Sequence, residues 1–342
     1  MSQRREVCIA TKMKVALLFR AQGRFFSIEQ LFTLIAEAMP AGVRTTMQLA
    51  PRGGASVKAL CANLIWAARL EGADVFHITG DIHYAALSFW RKPLVLTLLD
   101  LRFYEESNGW RRIVFWWFWI YLPCLRASRI TVISHFTRDR LLEACLISAS
   151  KLTVIPCCVA PHFIKQDRDW PLGRPRLLQI GTTSNKNLVR VVEACAGLEV
   201  NLIVVGHLTA LDRHLLSSSG VHWEEYQDLK PQQIVDLYAA SDLIVFVSTY
   251  EGFGLPILEA QAVGRPVITS NISPMAEVAG EGALKVDPFD VGSIRNGLKC
   301  LLSHPELRNE LVNKGFANVK NYSATAVAAQ YAEVYREVLD KP

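Results

Sequence analysis

The stretch "TYEGFGLPILEAQAVGRPVITS", Thr249–Ser270, sets Glu251 and Glu259 eight positions apart, with two glycines and a proline between them. Pro256 fits the first turn of a helix, where a missing N–H costs nothing, and Gly264 fits the position just past a helix end. The spacing predicts a helix from about Leu255 to Val263, entered through Gly252, Phe253 and Gly254. Backbone N–H groups at such an entry point outward with the positive end of the helix dipole, a place for an anion such as phosphate. One small anion has no use for two carboxylates nearby. A molecule with phosphates in its middle and hydroxyls at both ends does, because each carboxylate accepts strong hydrogen bonds from paired hydroxyls. A nucleoside-diphosphate sugar has that layout. Taken alone, Glu251 reads as a carboxylate that complements the helix dipole; the whole arrangement, placed after a strand, points to the sugar.

The surrounding sequence supplies the fold. "SDLIVFVS" precedes the stretch and "RPVITS" ends it, both short and apolar as strands buried on two faces are. With "RLLQIG", "LEVNLIVVG" and "ALKVDP" they form one strand series with helical patterns between the strands. An earlier series runs "KVALLF", "ADVFHI", "PLVLTLL", "RITVIS" and "KLTVIP", up to Pro156. Its helices include "SIEQLFTLIAEAM", which Ser27 suits as N-cap, "ASVKALCANLIWAARL" and "TRDRLLEACL". Such alternation predicts parallel sheets covered by helices. The chain of 342 residues is long enough for two domains. The fold class expected is therefore α/β, as two doubly wound Rossmann-like domains facing each other across a cleft. Their expected bounds are 1–162 and 175–322, with a proline-bearing linker over 163–174. A last helix over 323–342 fits either domain, and the arrangement adopted here returns it to the N-terminal one.

Composition narrows the function. The chain is 51% hydrophobic and 20% charged, a globular balance, and its net charge of +5 is too mild to indicate nucleic-acid binding. The eight cysteines show no C-x-x-C pair and no metal-ligand spacing, so each reads as a small buried hydrophobe in a reducing compartment. The opening "MSQRREVCIATKMK" lacks the apolar core of a secretory signal, and a cytoplasmic chain is expected. The longest apolar run, "IVFWWFWIYLPCL" from Ile113 to Leu125, is interrupted by Pro123 and bracketed by Arg111, Arg112 and Arg126. It is shorter than the roughly 20 residues of a spanning helix. Two readings stay open for it: a core helix under the N-terminal sheet, or an amphipathic helix lying in a membrane interface. No G-x-S-x-G motif marks a protein nucleophile. "FRAQGRFFS" carries one glycine where a dinucleotide-binding turn needs three, which rejects an NAD-dependent oxidoreductase.

"STYEGFGLPILEAQAVGRPVITSN" resembles the E-x7-E signature of the retaining glycosyltransferases of family 4, which adopt the GT-B fold. The resemblance covers nearly the whole chain: "RAQGRFFSIEQLF", "FHITGDIHYAAL", "ASRITVISHFTRDRLL", "LLQIGTTSNKNL", "DLYAASDLIVFVS" and "PMAEVAGEGALKVDP" follow in family order. It implies Glu251 beside the donor sugar, and the amides of Phe253, Gly254 and Leu255 beside the sugar and diphosphate. It also implies Glu259 on the ribose hydroxyls and Lys186 on the diphosphate. Gly23, in the first strand-to-helix loop, would let the backbone approach the donor phosphate. A lysine is a compact charge suited to a leaving diphosphate, and it can stand in for a metal, so neither cofactor nor metal is expected.

The sequence departs from the family in three places. The usual His-Asp pair after "LVLTLL" is Leu99-Asp100, which leaves Asp100 as a catalytic candidate and puts His77, with His83, forward as a partial substitute. The basic residue often found before the phosphate-binding lysine is Asn185. The Asn-Gly after "VIP" is Cys157-Cys158.

The implied activity is retaining transfer of a hexose, mannose among them, from a GDP- or UDP-hexose to a saccharide or lipid-linked saccharide. The implied setting is surface polysaccharide assembly, of O-antigen, capsule or lipopolysaccharide, in the cytoplasm with peripheral contact to the membrane. The alternatives are a nucleotide-sugar-binding subunit that has lost catalysis and a GT-B nucleotide-sugar epimerase.

Overall fold

The computed structural model describes residues 13–21, 27–54, 56–105 and 107–340. The chain divides into two compact units: one ends at Pro156 and takes back the chain from Ala324, and the other is Cys157–Ser323.

The first unit holds a six-stranded parallel sheet of β1 (Met13–Phe19), β2 (Val43–Leu49), β3 (Val75–Ile78), β4 (Leu94–Leu98), β5 (Arg129–Val132) and β6 (Leu152–Val154). Their order is β2-β1-β3-β4-β5-β6, so the winding reverses between β1 and β3. The second unit holds β7 (Arg176–Ile180), β8 (Asn201–Val205), β9 (His222–Tyr226), β10 (Leu243–Phe246), β11 (Val267–Ser270) and β12 (Leu284–Val286). Their order, β12-β11-β10-β7-β8-β9, reverses between β7 and β10. Each unit is thus doubly wound, and in such sheets ligands bind outside the carboxyl ends of the strands at the reversal.

Burial explains which strands form the centre. β3, β4, β10 and β11 are buried along their whole length, because helices cover both faces. β2 ("VRTTMQL") is polar and mostly exposed or half-buried, β9 ("HWEEY") is polar and mostly half-buried, and both lie at sheet edges. These two are the strands absent from the sequence series. An edge strand has one unpaired side and contact with water, so it can carry polar residues. β6 and β12 are edges too but keep short apolar runs, so composition and not edge position alone hides β2 and β9.

The helix Ala324–Asp340 belongs to the first unit, where Val327, Ala328, Tyr331 and Tyr335 are buried. Arg129 of β5 pairs with its Glu337 at 2.8 Å. The segment expected as a linker has neither helix nor strand and is bound to the second unit: Arg168 Nε meets Asp242 Oδ1 at 2.5 Å, and the Gln166 amide donates to Val263 O at 3.1 Å. Five cysteines (Cys124, Cys145, Cys157, Cys158 and Cys195) are buried as expected, and burial raises their thiol pKa values. Cys61 is exposed, a correction to the reading of every cysteine as buried, and Cys8 lies outside the described residues.

Candidate functional site

The carboxyl ends of β7 and β10, at the reversal of the second sheet, carry the residues singled out in the sequence. After β7 the chain turns at Gly181, whose φ of +91° is a left-handed conformation that glycine adopts without penalty. A Cβ there would lie 2.9 Å from Lys186 Cγ and Cε, so the missing side chain also makes room for the lysine stem. A short turn, Ser184–Lys186, follows, and the Gln179 side chain of β7 fixes it by donating to Lys186 O at 2.8 Å. Asn187, at φ +62°, anchors the start of the next helix by donating to Val247 O and Pro288 O.

From β10 comes the partner loop. The Thr249 amide donates to Asn185 O at 2.8 Å, and Asn185 Nδ2 donates to Tyr250 O at 2.9 Å and Glu251 Oε1 at 3.4 Å. The two loops are therefore stitched together before any ligand arrives. Lys186 Nζ lies 2.6 Å from Glu251 Oε1, with side chains only 19% and 15% exposed, and 4.7 Å from the centre of the Phe246 ring. Partial burial makes this pair matter more than an exposed one, which contributes little.

The expected helix is Leu255–Val263, entered through Gly254 at φ +117° and left through Gly264 at φ +83°. Among the described residues, the amides of Phe253, Gly254 and Leu255 have no protein acceptor. The Phe253 ring itself is buried, edge-on to Tyr322 at 6.0 Å. One helical turn inward, Glu259 Oε2 accepts a hydrogen bond from the Tyr238 hydroxyl at 2.6 Å. Burial raises the Glu259 pKa, and the Tyr238 hydrogen bond and the Lys186 charge pull it partly back. Nothing in the sequence pattern marks Tyr238 for this; it sits in the quoted "DLYAAS" as a buried aromatic on the helix Pro231–Ala240. Lys186, Glu251, Glu259 and the helix entry thus come together, as one concentrated zone of donors, acceptors and positive charge.

The first unit corrects one expectation. His77 is fully buried in β3, with Nδ1 2.7 Å from the Tyr335 hydroxyl and Nε2 2.7 Å from Thr97 Oγ1. Both ring nitrogens are engaged inside the core, so His77 is a structural residue that ties the C-terminal helix to the sheet and not a catalytic one. His83 is buried too, with Nδ1 3.1 Å from Trp119 O. Neither histidine takes the place of the one missing at Leu99. Asp100 is partly exposed after β4; its Oδ1 accepts from the Arg102 amide at 3.1 Å, and burial raises its pKa against that hydrogen bond. At the reversal between β1 and β3, Arg20 pairs with Glu29 at 2.9 Å and Asp81 at 2.6 Å. Gly23 lies outside the described residues.

Burial holds the His77 pKa at about 3, against an ordinary 6.5. The neutral ring is favoured in the folded state, so its contribution to stability is complete above pH 6.5 and is lost as pH falls toward 3. Each pH unit inside that window removes up to about 1.4 kcal/mol. Thermal melts of wild type and His77→Gln from pH 7 to pH 4 check this: the variant should show the flatter slope, and parallel slopes would remove His77 as the cause.

Residues 162–317 match the profile of "Glycosyl transferases group 1", and residues 12–163 match that of "Glycosyltransferase Family 4". The chain belongs to the family 4-type glycosyltransferases. It is 36% identical over 115 residues to an O-antigen chain mannosyltransferase B of Escherichia coli, a match over 33% of this chain and 30% of that one. It is 29% identical over 286 residues to an MMP alpha-(1->4)-mannosyltransferase of Mycolicibacterium hassiacum, covering 78% and 65% of the two chains. These matched segments span about a third and about two thirds of the two relatives. The structure superposes on Anabaena HepE in complex with UDP and glucose with a TM-score of 0.75 at 16% identity, covering 95% of this chain and 100% of that one. At that identity the likeness speaks for the fold, which is GT-B.

Proposed function

We propose that the protein transfers a hexose from a nucleoside-diphosphate sugar to a saccharide acceptor with retention at the anomeric carbon. The observation that carries this is the Lys186–Glu251 pair, 2.6 Å apart, set beside unpaired amides at a helix entry. Lys186 and the amides of Phe253, Gly254 and Leu255 would bind the diphosphate, Glu251 the sugar and Glu259 the ribose. In the step itself, the bond from the anomeric carbon to the diphosphate oxygen breaks, and its electron pair leaves with the diphosphate. The acceptor oxygen bonds to the same face of that carbon, and its proton passes to the departing phosphate oxygen. Positive charge placed where the leaving group gathers negative charge is the largest lever such a site has, and here Lys186 supplies it without a metal ion.

The mannosyltransferase relatives make GDP-mannose the first donor to try, and the UDP complex of HepE makes UDP-glucose the second. The E. coli relative favours surface polysaccharide assembly, and the proposal puts the reaction in the cytoplasm. The test is nucleotide release from a panel of GDP-, UDP- and ADP-hexoses with saccharide acceptor extracts, repeated in EDTA. Turnover that survives the chelator, with a retained product configuration, is expected. No release from any donor by folded protein would sink the reading. The absence of a histidine at Leu99, now that His77 and His83 are found buried, supports one second reading: a subunit that binds the nucleotide sugar without transferring it. Tight donor binding in calorimetry without turnover would identify it.

A further inference from the structure

The aromatic run of the first unit forms one continuous helical segment, Gly109–Phe115, Trp116–Tyr121 and Leu122–Arg126. Its middle is wound more widely, with the Leu122 amide donating to Trp117 O. One side faces the core: Ile120, Pro123 and Cys124 are buried, Trp116 Nε1 donates to Ala144 O at 2.7 Å, and Trp119 Nε1 donates to Asp81 O at 2.9 Å. The opposite side is equally apolar and faces water. Trp110 is 72% exposed, Ile113 62%, Val114 39%, Trp117 42%, Phe118 45% and Leu125 46%. Trp110, Ile113, Val114, Trp117 and Phe118 recur at steps of three and four, the period of one helix face, and Leu125 follows near the end of the segment. A helix that is apolar all round belongs inside a large core or against lipid, and the core accounts for only half of this one.

Charge selects the occupant. The segment Gly109–Arg126 contains Arg111, Arg112 and Arg126 and no acidic residue. Arg111 and Arg112 are exposed beside Trp110. At the other end Arg126 donates to Lys92 O at 3.0 Å, next to exposed Arg91 and to Trp90, which is 76% exposed. Glu105, just upstream, is matched by Arg140 at 2.6 Å. Tryptophan and phenylalanine between cationic ends suit the boundary between headgroups and acyl chains of an anionic bilayer. No helix among the described residues is long and apolar enough to cross a membrane, so this would be contact along a surface.

We propose that this helix face docks the protein on an anionic lipid surface. The docking stands on the helix itself; the transfer reading enters only in that such a surface would supply a lipid-linked acceptor.

Flotation of the full chain with phosphatidylglycerol vesicles and with neutral phosphatidylcholine vesicles is the test. At low salt the protein should rise with the anionic vesicles and stay behind with the neutral ones, and added salt should weaken the association. A Trp110→Ser, Trp117→Ser, Phe118→Ser triple variant should lose about tenfold or more in partitioning. Trp110 faces water, but the Trp117 ring also packs edge-on against Trp116 and Tyr121, so the melting of this variant is recorded beside wild type and should stay close to it. If it does not, Arg111→Glu with Arg112→Glu serves as the second variant and should lose flotation likewise. Absence of flotation with anionic vesicles overturns the proposal, as does flotation that both variants keep. Self-association by light scattering that the triple variant abolishes, without flotation, also overturns it and gives the face to a second copy. No nucleotide sugar enters these measurements, so failure of the docking leaves the transfer reading untouched, and an inactive protein leaves the docking untouched.

Discussion

Replacing Lys186 with alanine lowers kcat at saturating donor by about a hundredfold to a thousandfold, the usual loss when one preplaced donor is removed from a developing oxyanion. The argument is geometric. Lys186 Nζ is not loose in solvent: it is held 2.6 Å from Glu251, against the Phe246 ring, on a turn pinned by Gln179 and stitched through Asn185. A solvated loop lysine would change rate by little when removed. Lys186→Arg should rescue poorly, because a planar guanidinium fork does not replace a compact ammonium in the space left by Gly181. Steady-state kinetics on the donor that turns over checks both variants. A change of less than about threefold in kcat for Lys186→Ala would remove the lysine from the leaving-group role.

Replacing Glu259 with alanine raises the donor KM by about ten- to a hundredfold and leaves kcat much less affected. In the proposed donor mode the carboxylate accepts hydrogen bonds from a neutral diol, and a hydrogen bond to a charged group contributes about 1.5–3 kcal/mol. In that mode the ribose lies away from the breaking bond, so this interaction would be made equally in the ground state and the transition state. Glu259→Gln separates binding from stability. Burial raises the folded-state pKa of Glu259, so ionising it costs stability above that pKa and costs nothing once pH falls below the ordinary carboxylate range. The glutamine variant should therefore melt higher than wild type near pH 8, with the gap closing toward pH 4, while binding donor more weakly. Unchanged donor affinity in either variant, measured by calorimetry, contradicts the ribose assignment.

Much of this architecture is legible in the residues themselves. Central strands announce themselves as apolar runs because both faces are covered, and the helix Leu255–Val263 announces its ends through Pro256 and Gly264. The edge strands β2 and β9 do not, because water reaches them and "VRTTMQL" and "HWEEY" read as ordinary polar segments. His77 misleads for a related reason. A histidine after an apolar pair looks placed for chemistry until the partners of its two nitrogens are known, and Tyr335 lies 258 positions away in sequence. Tyr238 is invisible as a partner of Glu259 for the same reason: a buried tyrosine on a helix has no local mark that tells which carboxylate its hydroxyl will meet.

What the sequence determines alone is whatever a segment's own neighbours decide: the alternation of strands and helices, the turn glycines, and the spacing of Glu251 and Glu259. The tertiary structure alone decides which groups meet and which faces stay wet. Lys186 meets Glu251 because β7 and β10 are neighbours in the sheet although 65 residues separate the two side chains. The aromatic helix shows one face to water because its other face already fills the space above the first sheet. Periodicity reports what a segment can bury, and only long-range pairing settles what it does bury.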